Sequence, residues 1–323
     1  MDIPREMVPW LLGLAGAFIG SFLNVCIYRI PAQRSIVTPG SACPVCGTPI
    51  RPWNNVPVLS WLILRGRCAS CRAPISPRYP FVEALTAAVF VAASLRFDLG
   101  WELARALVFL SAMIVLFFTD LDERILPDLV TKPGTAAGLL FAFFSAAGSP
   151  FAGRESLLTS LSALGLSLAT AGAAAGSLWL IGRLWRLVRP GIESAMGLGD
   201  VKMMAMVGAF LGPRLTLLTV FLGSLLGTLI FLVTRVVVAI LRPQPGGPAP
   251  LRALQRGLES AGFLVGGQAA GLLDQIPFGS LLALGGTVSI FGGERLIAAY
   301  LVFSFWLGDR IFDAAHAVRG LFA

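Results

Sequence analysis

Two acidic stretches stand out in a chain that is 56% hydrophobic and only 13% charged. One is Asp120-Leu-Asp-Glu-Arg-Ile-Leu-Pro-Asp128, and the other is Gly197-Leu-Gly-Asp200-Val-Lys202. Each lies at the edge of an apolar run. A carboxylate at the centre of a membrane helix costs about 2.5–3.5 kcal/mol on insertion scales, and less near an interface. Acids in such places face a bundle interior or a water-filled cavity and mark function by default. Two carboxylates sharing one site do not both ionise. One keeps a proton and polarises a carbonyl, and the other acts as base on a water. Asp200 is the first choice for one side of such a pair. On the other side Asp120, which directly follows an apolar run, is one candidate. Asp122 would face another side of a continuing helix, and Asp128, after Pro127, is placed to cap the next one. The bland alternative is a polar loop with a capping aspartate. Gly197 and Gly199 allow the backbone to bend and another segment to approach closely. Lys202 either reaches the interface as a long amphipathic side chain or tunes the pair.

Other chemistries lack their residues. A single histidine, His316, excludes an H-E-x-x-H metal site and argues against a Ser-His-Asp triad. No serine sits in a G-x-S-x-G context. Four of the five cysteines form two C-x-x-C pairs, Cys43/Cys46 and Cys68/Cys71, with 21 residues between them. That spacing builds a two-knuckle, four-cysteine site for zinc, and four protein ligands leave no open position, so the metal is structural. Cys26 lies inside an apolar run and reads as packing.

These residues need helices to hold them. Apolar runs long enough to cross a bilayer, roughly 20 residues each, recur along the chain. The expected fold is an all-α polytopic membrane protein, because lipid cannot satisfy an open backbone. About eight transmembrane helices are expected, at Val8–Tyr28, Phe81–Leu95, Leu103–Thr119, Leu129–Ala147, Leu157–Ile181, Val201–Leu211, Leu215–Leu241 and Ile276–Phe305. Gly212-Pro213-Arg214 should interrupt the sixth and seventh, and Gly292-Gly-Glu-Arg295 should break the last. The first run, with no basic region before it and no small-residue cleavage site after it, is expected to be a retained helix. Gly16/Gly20 and Gly172/Gly176 have small-residue helix-packing spacing, and Asn24 requires a hydrogen-bond partner, either in another helix or in a ligand. The organisation expected is a first helix at 1–28, a small cytoplasmic zinc-binding domain of four cysteines at 29–80, a transmembrane core at 81–241, a linker with an amphipathic helix at 242–275, and a last span with a short interfacial tail at 276–323.

The net charge of +8 is uneven: Arg29 to Arg78 carries seven arginines and no acid. Positive residues collect in cytoplasmic loops, so this block is expected inside rather than on nucleic acid. Counting spans from it places both acidic stretches at the cytoplasmic face of the membrane.

Together these residues resemble the bacterial type IV prepilin peptidase family, membrane aspartyl proteases of the GxGD type. The resemblance rests on Gly20-Ser-Phe-Leu-Asn-Val-Cys-Ile-Tyr-Arg-Ile-Pro31, both C-x-x-C pairs, Arg65-Gly-Arg-Cys68 and Arg78-Tyr-Pro-Phe-Val-Glu83. It rests equally on the two acidic stretches and Ile276-Pro-Phe-Gly279, all in the family's order. It implies cleavage of the basic leader from type IV prepilins and type II secretion pseudopilins after a glycine. N-methylation of the new N-terminus by S-adenosylmethionine is implied to follow. The family's catalytic aspartates fall on Asp120 and Asp200, and its methyltransferase function falls on the cysteine domain, at Gly66 and Arg67. Asn24, Glu83, Asp128, Gly197, Gly199 and Lys202 are supporting positions. The implied location is the bacterial inner membrane, with pilus or secretion assembly machinery as a possible contact. The competing reading is an ion-coupled transporter, which intramembrane acids also mark; the two acidic stretches do not resemble each other, and no internal repeat supports it.

Overall fold

The computed structural model describes residues 4–145, 153–188, 197–241, 264–265, 268–269 and 277–321. Eight α-helices form among them: α1 Val8–Arg29, α2 Leu59–Ile63, α3 Arg78–Arg96, α4 Trp101–Glu123, α5 Asp128–Ser145, α6 Arg154–Val188, α7 Leu198–Leu241 and α8 Phe278–Leu321. Six of these, all but α2 and α5, are long and apolar enough to cross a membrane. The chain is a multi-pass membrane protein. The eight expected runs each have a helical segment, because α7 is two helices, holding Val201–Leu211 and Leu215–Leu241, joined at a kink at Gly212. A two-residue antiparallel ladder pairs Leu264–Val265 with Gln268–Ala269. The rest of the expected linker and its amphipathic helix lie outside the described residues.

The bend in α7 follows from its residues. Gly212 has φ 71° and Pro213 has no N–H to give the carbonyl of Ala209. Three carbonyls at the bend find partners elsewhere. Ser167 Oγ of α6 donates to Ala209 at 2.8 Å, and Arg105 Nη1 of α4 donates to Phe210 at 3.2 Å. Thr216 Oγ1 donates to Gly212 at 2.6 Å. A break in a membrane helix is tolerated where neighbours satisfy it in this way.

The second expected break does not form. α8 runs unbroken through Gly292–Arg295 and on to Leu321, inside the expected interfacial tail. A glycine inside a helix costs only about 1 kcal/mol. Gly293 provides packing instead, since a Cβ there would stand 2.5 Å from Leu215 Cδ2 of α7.

Small residues set the helix contacts. A Cβ at Gly16 or Gly20 would come within 2.9 Å or 2.7 Å of the α3 backbone, so this spacing docks α1 on α3. Gly208 meets the α6 backbone at Ala171 at 2.9 Å. Gly172 and Gly176 have nothing within 4 Å and pack against no part of the described chain. α4 is the most buried of the candidate spans, with 56% of its most apolar window inside. Its Phe109 meets Phe210 of α7 with ring centroids 5.3 Å apart. The central helix therefore carries Asp120.

Candidate active site

Helix ends converge on one face of the bundle. There lie the C-terminal ends of α1 and α4 and the N-terminal ends of α3, α5, α7 and α8. Asn24 Nδ2 of α1 donates to the Tyr79 carbonyl of α3 at 3.0 Å, which is the helix-to-helix partner it requires. Arg78 of α3 pairs with Asp122 of α4 at 2.5 Å and lies over the Phe118 ring. Lys202 of α7 reaches Asp128 of α5 at 2.6 Å, and Lys132 reaches the same carboxylate at 2.7 Å. Asp128 opens α5 and bridges two helix starts, where a negative charge is favoured by the helix dipole.

Asp120 is 5% exposed, and its Oδ2 accepts the Ser280 backbone N–H of α8 at 2.5 Å. Asp200 stands in the first turn of α7 and feels the charge of Asp120. Leu126 binds the two centres together. A Cβ on Gly199 would meet Leu126 Cβ at 2.9 Å, and one on Gly279 would meet Leu126 Cδ1 at 2.8 Å. The same Gly279 Cβ would lie 2.9 Å from Asp120 Oδ2, and a Cβ on Gly197 would lie 3.2 Å from Asp200 Oδ2. One glycine thus leaves room beside each carboxylate. Each acid meets a helix N-terminal end, Asp120 that of α8 and Asp200 that of α7. The backbone N–H groups there favour negative charge and offset part of the cost of burial. Asp122, two residues beyond Asp120, points to the other side of α4 and pairs with arginine.

Glu83 is buried, and its Oε2 accepts the Val58 N–H at 2.7 Å. That bond ties the entry of α2 to α3 at a residue whose φ is 60°. Cys26 is buried among Leu23, Ile27 and Val82.

The cysteine block is a repeated hairpin with a 25-residue offset. Cys43 N–H donates to Thr48 O at 3.0 Å and Cys68 N–H donates to Ala73 O at 2.8 Å. Bridges join Ala42 with Pro49 and Arg67 with Pro74. Gly47 and Arg72 take the matching positive-φ turn at 69° and 61°. The four Sγ atoms all lie within 4.8 Å of one another, and Cys43 Sγ lies 3.8 Å from Cys71 Sγ. A tetrahedral thiolate site with bonds of about 2.3 Å has edges of about 3.8 Å. The four cysteines fit a metal ion. The Thr48 hydroxyl, 3.3 Å from Cys46 Sγ, and the Thr48 backbone amide bring the Cys46 thiol down to about 6. Cys46 is thereby biased toward the thiolate a metal requires, while burial and the neighbouring thiols push Cys71 up to about 11. Gly66 has φ 67°, and a Cβ there would come 2.9 Å from the Trp61 ring. The Trp61 indole N–H donates to the Ile75 carbonyl at 3.0 Å. Gly66 and Arg67 are therefore part of the second hairpin's frame.

Sequence reasoning gave no role to Ser280, Leu126 or Arg78. Pro277-Phe-Gly279 was the available signal for the first, since it announces the helix start that meets Asp120.

A polytopic membrane protein with two carboxylates at one face and a separate four-thiolate hairpin pair defines a narrow class. Residues 14–97 match the bacterial peptidase A24 N-terminal domain, and residues 107–232 match the type IV leader peptidase family. The prepilin leader peptidase/N-methyltransferase of Myxococcus xanthus is 38% identical over 251 residues, covering 74% of this chain and 69% of the relative. That of Pseudomonas aeruginosa is 30% identical over 316 residues, covering 90% and 92%. That of Neisseria gonorrhoeae is 33% identical over 252 residues, covering 70% and 82%. No solved structure matches significantly. The chain belongs to the type IV leader peptidase family.

Proposed function

We propose that this chain is a membrane aspartyl endopeptidase that removes the basic leader from type IV prepilins and type II secretion pseudopilins. Asp120 and Asp200 form the catalytic pair in this reading. N-methylation of the new N-terminus from S-adenosylmethionine follows as a second activity. The family membership and the names of the relatives support it. The observation that supports it is that segments bearing two acids 80 positions apart in the sequence meet at Leu126, through Gly199 next to Asp200 and Gly279 beside Asp120.

The chemistry follows from that meeting. The protonated member of the pair donates to the scissile carbonyl, and the ionised member takes a proton from a water that attacks it. The Ser280 N–H holds Oδ2 of Asp120 and so orients the carboxylate. Gly197 and Gly279 leave space beside the two carboxylates for an extended peptide. A prepilin is an apolar helix with its leader on the cytoplasmic side, so its scissile bond lies at the inner boundary of the lipid. The arginine-rich segment Arg29 to Arg78 supports placing this face of the bundle in the cytoplasm. The protein then resides in the bacterial inner membrane, where pilus or secretion assembly machinery is a neighbour. Residues 29–80 form the metal-bearing domain, and four thiolates with no open position suit a structural zinc. Residues 81–241 and the last span form the peptidase core.

The test uses protein purified in detergent, incubated with a prepilin peptide with and without S-adenosylmethionine, and read by mass. Leader loss is expected from wild type, with one further methyl when the donor is present. Asp120→Asn and Asp200→Asn should leave the peptide intact while retaining metal content and helicity. Normal processing by either variant removes that residue from the pair.

A further inference from the structure

The cysteine domain carries an apolar face that its own fold leaves uncovered. α2 turns Ser60 and Trp61 inward. Ser60 Oγ accepts the Val56 N–H at 2.9 Å and donates to the Trp53 carbonyl at 3.2 Å, while the Trp61 indole is held by Ile75. Leu59, Leu62 and Ile63, at i, i+3 and i+4, share the other side of the helix. They are 56%, 57% and 78% exposed. Trp53 is exposed as well, with the Arg51 guanidinium 5.5 Å from its ring centroid. A small domain in water rarely gathers such side chains in the open, and a patch of this kind marks a contact surface.

The place of this face says what meets it. Val58, the residue before α2, gives its N–H to Glu83 Oε2 at 2.7 Å. Glu83 stands five residues beyond Arg78, the first residue of α3, which is about 7.5 Å along the axis. Helical side chains lean back toward the helix start. α3 is long and apolar enough to cross a membrane, and so is α1, whose Gly20 packs against the Glu83 backbone. The start of α2 is therefore pinned within the first two turns of a span, at the level where that span enters the lipid. Arg51, Arg65 and Arg67 flank α2 in the chain and are exposed. The block from Arg29 to Arg78 contains no acid to offset them. Tryptophan and arginine beside an aliphatic face are the chemistry of the headgroup layer.

We propose that α2 is an interfacial anchor that docks the cysteine domain on the membrane the bundle crosses. Leu59, Leu62 and Ile63 enter the acyl boundary, and Trp53 sits at headgroup level. Arg51, Arg65 and Arg67 engage the phosphates of anionic phospholipids. The tether decides for lipid over a protein from solution, because a patch held at the entry of a span faces the leaflet itself. Three aliphatic side chains are too few to hold a bilayer alone. The Glu83 bond makes the contact intramolecular, so a weak contact suffices. The inference rests on the membrane placement of the bundle and is independent of the reaction its acids perform. It gives the cysteine domain two points of attachment, one to α3 and one to the leaflet.

The test uses the full chain in nanodiscs of phosphatidylcholine, with and without phosphatidylglycerol. A benzophenone amino acid replaces Ile63 in one sample and Leu14, an exposed side chain of the α1 span, in another. Irradiation should give phospholipid adducts by mass at both positions, in comparable yield. Leu62→Asn combined with Ile63→Asn should raise trypsin cutting at Arg65 and Arg67 by about tenfold or more, the scale of two lost aliphatic burials. Arg51→Gln should raise it by about fivefold in the discs with phosphatidylglycerol and leave it unchanged in phosphatidylcholine alone. Metal content at the wild-type level checks that each variant is folded. A probe at position 63 that marks no lipid, while the one at position 14 does, overturns the proposal. So does a crosslink from position 63 to a second copy or to another protein in place of lipid, and so does equal cutting of wild type and the double variant. Equal protection of the wild type in the two kinds of disc overturns the assignment of the arginines to anionic headgroups.

Discussion

The cysteine hairpins and the carboxylate pair are two sites built over opposite ranges. All four thiolates come from Cys43 to Cys71, and each pair is set by a tight turn of its own. The carboxylates come from α4 and α7, and the bond that fixes one of them comes from α8. A local site depends on its turns and its metal. A distributed site depends on the packing of helices whose contacts are far from it. Damage to one should leave the other working.

The largest effect expected on the distributed site comes from its own acids. Asp120→Asn and Asp200→Asn should each slow leader cleavage by about 10³-fold or more, near the upper end of general acid–base contributions. The double variant should be hardly worse than either, because the two act as a unit. Metal content measured on the same samples should stay at the wild-type level. Additive losses would show that the acids do not share one step.

The converse experiment removes the metal. Chelation should unfold residues 29–80, seen as new protease sensitivity there, and leave the helical signal of the bundle intact. Acid should do the same. The Cys46 thiol lies below its usual range, at about 6, so its contribution is fully present only above the ordinary thiol range and is lost as pH falls toward about 6. Metal release measured against pH should therefore rise as pH falls, because each thiolate that takes a proton is lost as a ligand. Release already complete at pH 8 would contradict the thiolate geometry.

Gly279→Val should give an intermediate effect. Its side chain would crowd Asp120 Oδ2 and Leu126, so cleavage should fall by about 10- to 100-fold, the scale of a small misplacement at a reacting centre, with little loss of membrane insertion. Gly172→Val, which meets nothing in the described chain, is the control and should cleave normally. The smallest effect belongs to Lys202→Met. It breaks a solvent-screened pair with Asp128, which also keeps Lys132, so cleavage should change within about threefold. A much larger loss would place Lys202 in the chemistry rather than at its edge.

Some of this was legible without coordinates, and the boundary follows the range of the interactions. Hydropathy alone establishes a membrane bundle, because the bilayer demands about 20 apolar residues per crossing wherever they sit. The C-x-x-C spacing alone establishes a four-thiolate site, because a tight turn fixes two ligands whatever surrounds it. The same local reasoning narrowed the acids to a few candidates but left Asp120, Asp122 and Asp128 on equal chemical terms. It also mistook Gly292–Arg295 for a break, since a glycine pair that packs a helix and one that ends it look alike in sequence.

The tertiary structure gives the three acids different surroundings. Residues 120 and 122 leave one helix in opposite directions, and which direction is inward depends on α8, which begins more than 150 positions later. Asp122 meets an arginine, Asp128 meets two lysines, and Asp120 meets Ser280 and the charge of Asp200. Composition and spacing act within a few residues and can be read from the chain. The surroundings of each carboxylate are decided by helix packing, which is a property of the whole bundle.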